Sequence, residues 1–187
     1  MVRSVTLACE ATLTTVPHKM PEHTPHLFTL GYEGLDIDAF IARIGHFGIE
    51  TVLDVRELPL SRKRGFSKSS LREHLGQVNV AYLHVPTLGC PKPIRDQYRA
   101  DSDWDAYTRA FLAYIAGQKA SVRELVKLSR TTKTCLICFE ADFTTCHRTY
   151  VARAALKQGG LPVMHLTSET TVVDHPIRAS ALADRTH

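Results

Sequence analysis

The stretch Thr134-Cys-Leu-Ile-Cys-Phe139, followed after a polar loop by Arg148-Thr-Tyr-Val-Ala-Arg-Ala-Ala-Leu-Lys157, decides the fold. The first segment is a short apolar run of the kind that forms a buried strand. The second is built of good helix formers and closed by Gly159-Gly160. The loop between them, Glu140-Ala-Asp-Phe-Thr-Thr-Cys146-His147, holds a carboxylate, a thiol and an imidazole, with Cys138 just before it and Arg148 just after. Cys146 and His147 fall at the helix start, where unpaired backbone N–H groups point outward and favour an anion or a thiolate.

The same alternation repeats towards the N-terminus. Leu27-Phe-Thr-Leu30 reads as a strand; Asp36 then caps a helix whose Ile37, Phe40, Ile41, Ile44 and Phe47 recur at helical spacing, and Gly48 ends it. Thr51-Val-Leu-Asp-Val55 is a second strand, Ser67 opens a short helix through Leu71 and Leu75, and Val80-Ala-Tyr-Leu-His-Val85 is a third strand. A long connection from Pro86 to Asp101 precedes a helix expected to start at Ser102, with Asp105 completing a capping box, and Ser121 is expected to cap a further helix. Leu161-Pro-Val-Met-His-Leu166 is the last strand. Strands interleaved with helices predict an α/β fold, a three-layer sandwich around a mostly parallel sheet of about five strands. The expected organisation is a flexible N-terminal arm over 1–25, a single domain over 26–166 and a C-terminal tail over 167–187.

With 187 residues, 44% of them hydrophobic and 22% charged, the chain has the apolar surface that one globular core requires. Its apolar runs fall short of the roughly 20 residues of a membrane-spanning helix. Glu10 breaks the N-terminal hydrophobic stretch too early for a signal peptide, so a cytoplasmic protein without membrane contact is expected. Five cysteines, an odd number spread unevenly, point to reduced thiols and not to a disulfide framework. A net charge of +4 is too mild to mark a nucleic-acid binder by itself. Charge is instead local: between Arg56 and Lys68 five cations face one acid, a pattern shared by anion-binding loops and by ordinary solvated ones.

Ligands of parallel sheets bind beyond the carboxyl ends of the strands. Tyr32 follows the first strand, Asp54 and Arg56 the second, His84 the third, and Cys138 and Glu140 the fourth, which predicts a pocket at that edge. Side-chain alternation sends Cys138 and Glu140 to one face and Cys135 to the other. That argues against a zinc knuckle built on the Cys135-x-x-Cys138 pair with Cys146 and His147; no metal is expected, and Cys135 reads as a core residue. The candidate catalytic residues are Cys138, Glu140, Cys146 and His147, since a helix N-terminus lowers a thiol pKa and a histidine can orient or deprotonate its neighbour. A buried structural thiol and a satisfied core histidine are the competing readings. The candidate ligand-binding residues are Tyr32, Asp54, Arg56, Arg62, His84 and Arg148. The arginines would meet phosphate or carboxylate, Asp54 would orient Arg56 or Arg62, and Tyr32 and His84 would meet a base. An internal Asp54–Arg56 salt bridge that only fixes the loop is the alternative.

Several ordered motifs together resemble the domain-of-unknown-function family 488: Thr29-Leu-Gly-Tyr-Glu-Gly34; Asp54-Val-Arg56 with Pro59 and Ser61-Arg62; Tyr82-Leu-His84 with Leu88-Gly89; and Cys138-Phe-Glu140 with Cys146-His147-Arg148. The resemblance spans residues 27–160 and implies a compact α/β domain, while the family's name leaves the biochemical role open. Many members carry a second small residue after the glycine of Leu88-Gly89, where this chain has Cys90. Asp54-Val-Arg56 and the Cys138 strand are also faintly similar to the rhodanese pattern, which implies sulfur transfer. The separation of Cys138 from Cys146 departs from the tight rhodanese loop.

These observations predict an enzyme acting on a phosphate-bearing ligand, a nucleotide or nucleic acid, in a Cys/Glu/His/Arg pocket, with reaction class and cofactor left open. Two alternatives stand. One is a nucleotide or nucleic-acid binding module without turnover. The other is a thiol redox or sulfurtransferase-like protein, which needs Cys138 and Cys146 close enough to form a disulfide.

Overall fold

A computed structural model describes residues 26–174; the expected arm over 1–25 and the tail beyond 174 lie outside the described residues. The chain forms β1 (Leu27–Gly31), α1 (Ile37–His46), β2 (Thr51–Asp54), α2 (Lys68–Gln77), β3 (Ala81–His84) and a 3-10 turn (Pro86–Leu88). It continues through α3 (Lys92–Asp101), α4 (Trp104–Gly117), α5 (Lys119–Thr131), β4 (Thr134–Cys138), α6 (His147–Lys157), β5 (Val163–Leu166) and β6 (Thr171–Val173). The sheet order is β3-β2-β4-β1-β5-β6, parallel throughout except for β5 with β6. This is the α/β fold that the alternating sequence predicts. The sixth strand comes from the region read as tail, where β6 folds back antiparallel on β5. All three of its residues are exposed, so no apolar pattern announces it.

Strands β1, β2 and β4 are buried at every position, as strands covered on both faces must be. Alternation then sorts their side chains. Cys135 and Ile137 of β4 pack with Phe40 and Ile44 of α1 and Leu71 and Leu75 of α2. Leu136 packs oppositely, with Phe111 of α4, Leu125 of α5 and Val151 of α6. Each fully buried Leu, Ile or Phe contributes roughly 1.5–3 kcal/mol, so two such cores fix the strand ends in register.

Local capping follows the sequence at α1, where the Asp36 carboxylate accepts the Ala39 N–H at 2.8 Å. It departs from expectation farther on. The connection from Pro86 to Asp101 is largely helical, and α3 escapes notice because none of its residues is fully buried and only Ile94 and Tyr98, both partly buried, give it an apolar repeat. Lys92–Asp96 and Asp96–Arg99 ion pairs run along its surface instead. Ser102 ends α3 in a left-handed conformation (φ 55°), and its neighbour Asp103 caps α4 by accepting the Ala106 N–H at 2.8 Å. Ser121 lies within α5, which begins after Gln118, and its hydroxyl bonds Thr87 instead. No helix among the described residues is long and apolar enough to cross a membrane.

Candidate functional site

Register brings the predicted groups to one level. Gly31 pairs with Cys138, and Asp54 pairs with both Ile137 and His84, so β1, β4, β2 and β3 end side by side. The sheet nevertheless divides them. Tyr32 and Tyr82 belong to the core facing α1 and α2, and Asp54 joins them through the Tyr82 hydroxyl. Cys138 points to the opposite face, where the N-terminus of α6 presents Cys146 and His147.

On that second face Cys138 Sγ stands 2.8 Å and Cys146 Sγ 3.2 Å from Glu140 Oε2, while His147 Nδ1 lies 3.6 Å from Cys138 Sγ and 3.9 Å from Cys146 Sγ. His147 Nε2 is 2.9 Å from the Val55 carbonyl, which accepts hydrogen bonds only, so Nε2 carries the proton and Nδ1 faces the thiols. Burial alone would raise the Cys146 pKa. Hydrogen bonds from Cys138 and His147, with the charges of His147 and Arg148, overcome it and hold this thiol well below the usual thiol range. Burial likewise disfavours charge on His147, but its bond to Cys146, the Cys146 charge and the Val55 carbonyl raise its pKa. The two shifts support each other, each favouring the charged form of its own side chain. Burial, the bond to Cys146 and the Cys146 charge push Cys138 up, so it stays a thiol, and burial with the Cys146 charge raises Glu140. Cys135 sits on the far side of β4 in the core, where burial raises its pKa above the ordinary thiol value.

Arg148 does not meet the cavity. It is fully buried, and its guanidinium donates to the carbonyls of Glu140 and Ala141. The loop after β4 folds back on the helix start and supplies the negative ends that the sequence reading assigned to a bound anion. Two further contacts pin this loop: Ala141 N–H donates to Glu33 Oε2 at 3.0 Å, and Gly31 abuts the Glu140 carbonyl so closely that a Cβ there would come within 1.8 Å of it.

Asp54 and Arg56 form a buried ion pair with side-chain exposures of 0% and 7%. Asp54 Oδ1 accepts Arg56 Nε at 2.8 Å and the Arg56 backbone N–H at 3.0 Å, and Oδ2 accepts the Tyr82 hydroxyl at 2.6 Å. Arg56 Nη1 donates to the Tyr32 hydroxyl at 2.7 Å and to the Phe66 carbonyl at 2.9 Å. Most of its donors are thus spent on the protein, which makes Arg56 a brace of the basic loop. His84 stands behind it, with Nε2 donating to the Arg56 carbonyl at 2.9 Å, and is absent from the cavity lining.

A cavity of about 650 Å³ opens at this edge. Tyr32, Arg56, Arg62, Cys138, Glu140 and His147 line it; Cys146 lies behind them. The lining also includes Lys63, Arg95, Arg99, Tyr98, Trp104, Tyr107 and Cys90, which the sequence reading did not select. Arg95 and Arg99 come from α3, the helix read as a connection. The repeat of Ile94, Tyr98 and the charges at three- and four-residue spacing was the available signal. Trp104 stacks on Tyr107 at 4.7 Å, Tyr98 meets Trp104 edge-on at 5.6 Å, and Phe139, 43% exposed, stands edge-on to Tyr32 at 5.5 Å. Arg95 pairs with Glu57, whereas Arg62 makes no ion pair among the described residues. Cys90 follows Gly89, where an added Cβ would come within 2.3 Å of the Glu57 backbone nitrogen, so the two segments pass closely only because the residue is glycine.

Such a cavity can hold an anion at its cationic rim and a flat apolar group against its aromatic wall, above two thiols, a carboxylate and an imidazole. No curated protein and no solved structure gives a significant match to the chain. Residues 36–155 match the model of the family described as a domain of unknown function, DUF488, and the chain belongs to that family.

Proposed function

We propose that the protein is an enzyme acting on a phosphate-bearing ligand, a nucleotide or part of a nucleic acid, with Cys138, Glu140, Cys146 and His147 carrying the chemistry. The observation behind this reading is the juxtaposition in one cavity of cations (Arg62, Lys63, Arg95, Arg99), aromatic faces (Trp104, Phe139) and three of those four groups. Its volume of about 650 Å³ suits a ligand of nucleotide size. Arginine meets phosphate through paired N–H donors, and a base stacks on an aromatic face for about 1–3 kcal/mol. Arg56, Asp54, His84 and Arg148 act as positioning residues in this reading. The opposed sulfurs, within 4.8 Å of each other, favour thiol redox chemistry as a second reading.

The test is incubation of the protein with a pool of nucleotides and short 5′-phosphorylated oligonucleotides, with products read by mass spectrometry. Turnover lost in Cys146→Ser and His147→Gln, with binding retained, supports the enzyme reading. Binding without turnover in the wild type moves the protein to the binding-module class. A Cys138–Cys146 disulfide formed under mild oxidation, with neither binding nor turnover, favours redox.

A further inference from the structure

Cys138 Sγ, Glu140 Oε2, Cys146 Sγ and His147 Nδ1 all lie within 4.8 Å of one another. We propose that these atoms bind one Zn²⁺ ion, or a divalent cation of the same borderline softness, at the floor of the cavity. Zn–S bonds of about 2.3 Å and Zn–N or Zn–O bonds of about 2.0–2.2 Å imply tetrahedral ligand-to-ligand edges of roughly 3.3–3.8 Å. The edges from His147 Nδ1 to the two sulfurs are 3.6 and 3.9 Å, and those from Glu140 Oε2 are 2.8 and 3.2 Å. The carboxylate edges are the short ones, and Glu140, on the most flexible stem of the four, is the ligand that adjusts.

The surroundings fit the same assignment. A ligating imidazole generally donates its second N–H to a carbonyl or carboxylate, which fixes the tautomer, and His147 Nε2 has that partner in the Val55 carbonyl at 2.9 Å. The loop carrying Glu140 is tied down by Arg148 and by the close approach of Gly31. Binding releases the Cys138 thiol proton and any proton on His147 Nδ1, and the resulting two thiolates, imidazole and carboxylate select a borderline cation over Mg²⁺ or Ca²⁺, which prefer all-oxygen sites. This set is not the zinc knuckle weighed from the sequence, since Glu140 takes the place of Cys135. Cys138, Glu140 and His147 face the cavity, so the ion is reachable from it and Glu140 is the ligand that an incoming group would displace.

The inference goes beyond the phosphate reading and stands without it. The experiment is metal analysis of the full chain purified without chelators, followed by Co²⁺ reconstitution of the metal-free protein. The expected result is about one Zn²⁺ per chain and, with Co²⁺, tetrahedral ligand-field bands with thiolate-to-cobalt charge transfer. Cys146→Ser and Glu140→Gln should weaken binding by at least about tenfold. Cys135→Ala and Arg62→Ala should leave it unchanged. Arg62→Ala separates the two readings, because it should impair phosphate binding alone. If the reduced wild type takes up less than about a tenth of an equivalent, or if Co²⁺ gives an octahedral spectrum without charge transfer, the proposal is wrong. The wild-type spectrum decides the matter even where a cysteine variant fails to fold.

Discussion

Replacing Asp54 by Asn keeps the shape of the side chain and removes its charge from the centre of the Arg56 network. The wild-type carboxylate is wholly buried and accepts bonds from Arg56 Nε, Nη2 and backbone N–H and from the Tyr82 hydroxyl. After the substitution the guanidinium of Arg56, only 7% exposed, has no counter-charge, and one amide hydrogen points at its donors. Stranding one member of a buried pair costs about 3–5 kcal/mol, against about 1 kcal/mol or less for an exposed pair. With a urea slope of about 2 kcal/mol per molar, the unfolding midpoint should fall by about 2 M. Equilibrium urea unfolding followed by circular dichroism reads the shift. The paired substitution Asp54→Leu with Arg56→Met should recover at least half of the loss, because no stranded charge remains. A fall of less than about 0.5 M, or a paired variant weaker than Asp54→Asn alone, would refute the view that this ion pair organises the basic loop.

Two other consequences concern the far side of the sheet and the loop after β4. His165 is fully buried, with Thr29 Oγ1 at 2.7 Å from Nδ1 and Phe143 stacked on its ring at 4.0 Å. Burial and the charges of Arg148 and Arg153, opposed by Asp174, push its pKa down to about 4 from an ordinary 6.5. The folded protein therefore keeps His165 neutral while the unfolded chain takes up a proton below pH 6.5. This contribution is fully present above 6.5 and is lost as pH falls towards about 4, by about 3 kcal/mol at roughly 1.4 kcal/mol per pH unit. Between pH 7 and pH 4 the wild type should lose that much more stability than His165→Gln; parallel losses in the two would show that His165 does not govern the acid limb. Gly31→Ala should destabilise the fold by about 1–3 kcal/mol and reduce metal uptake, because a Cβ at that position meets the Glu140 carbonyl at 1.8 Å. Unchanged stability and uptake would mean that the loop moves freely.

The fold was readable because β1, β2 and β4 are continuous apolar runs and α1 carries its apolar residues at helical spacing. The edge at which the cavity opens was readable for the same reason: strand ends place Tyr32, Cys138 and Glu140 there, whereas Asp54, at the same edge, lies outside the lining. Alternation also assigned Cys135 correctly to the core. Helix α3 is hard to read, since a helix with no fully buried residue leaves only the Ile94–Tyr98 spacing and the spacing of its charges as a trace. Arg148 illustrates a different limit. A cation in the first turn of a helix implies negative partners, and sequence spacing cannot tell a bound anion from carbonyls of a loop that returns to the helix start. His84 and Arg56 fall at the right strand ends, yet the His84 Nε2–H and most of the Arg56 donors are satisfied within the protein, which only the three-dimensional contacts reveal.

The central claim is that the cavity above the Cys/Glu/His cluster recognises phosphate. Thermal unfolding in the presence of nucleotides and short oligonucleotides, each compared with its dephosphorylated form, tests it most directly. A ligand that binds only the folded state at a hundred times its Kd stabilises by about 2.7 kcal/mol, a shift of several degrees. The account predicts that at least one phosphorylated member raises Tm in this way, that its dephosphorylated form does not, and that Arg62→Ala with Arg95→Ala abolishes the effect. Equal shifts from both forms, or a phosphate-dependent shift that survives the loss of both arginines, would contradict it.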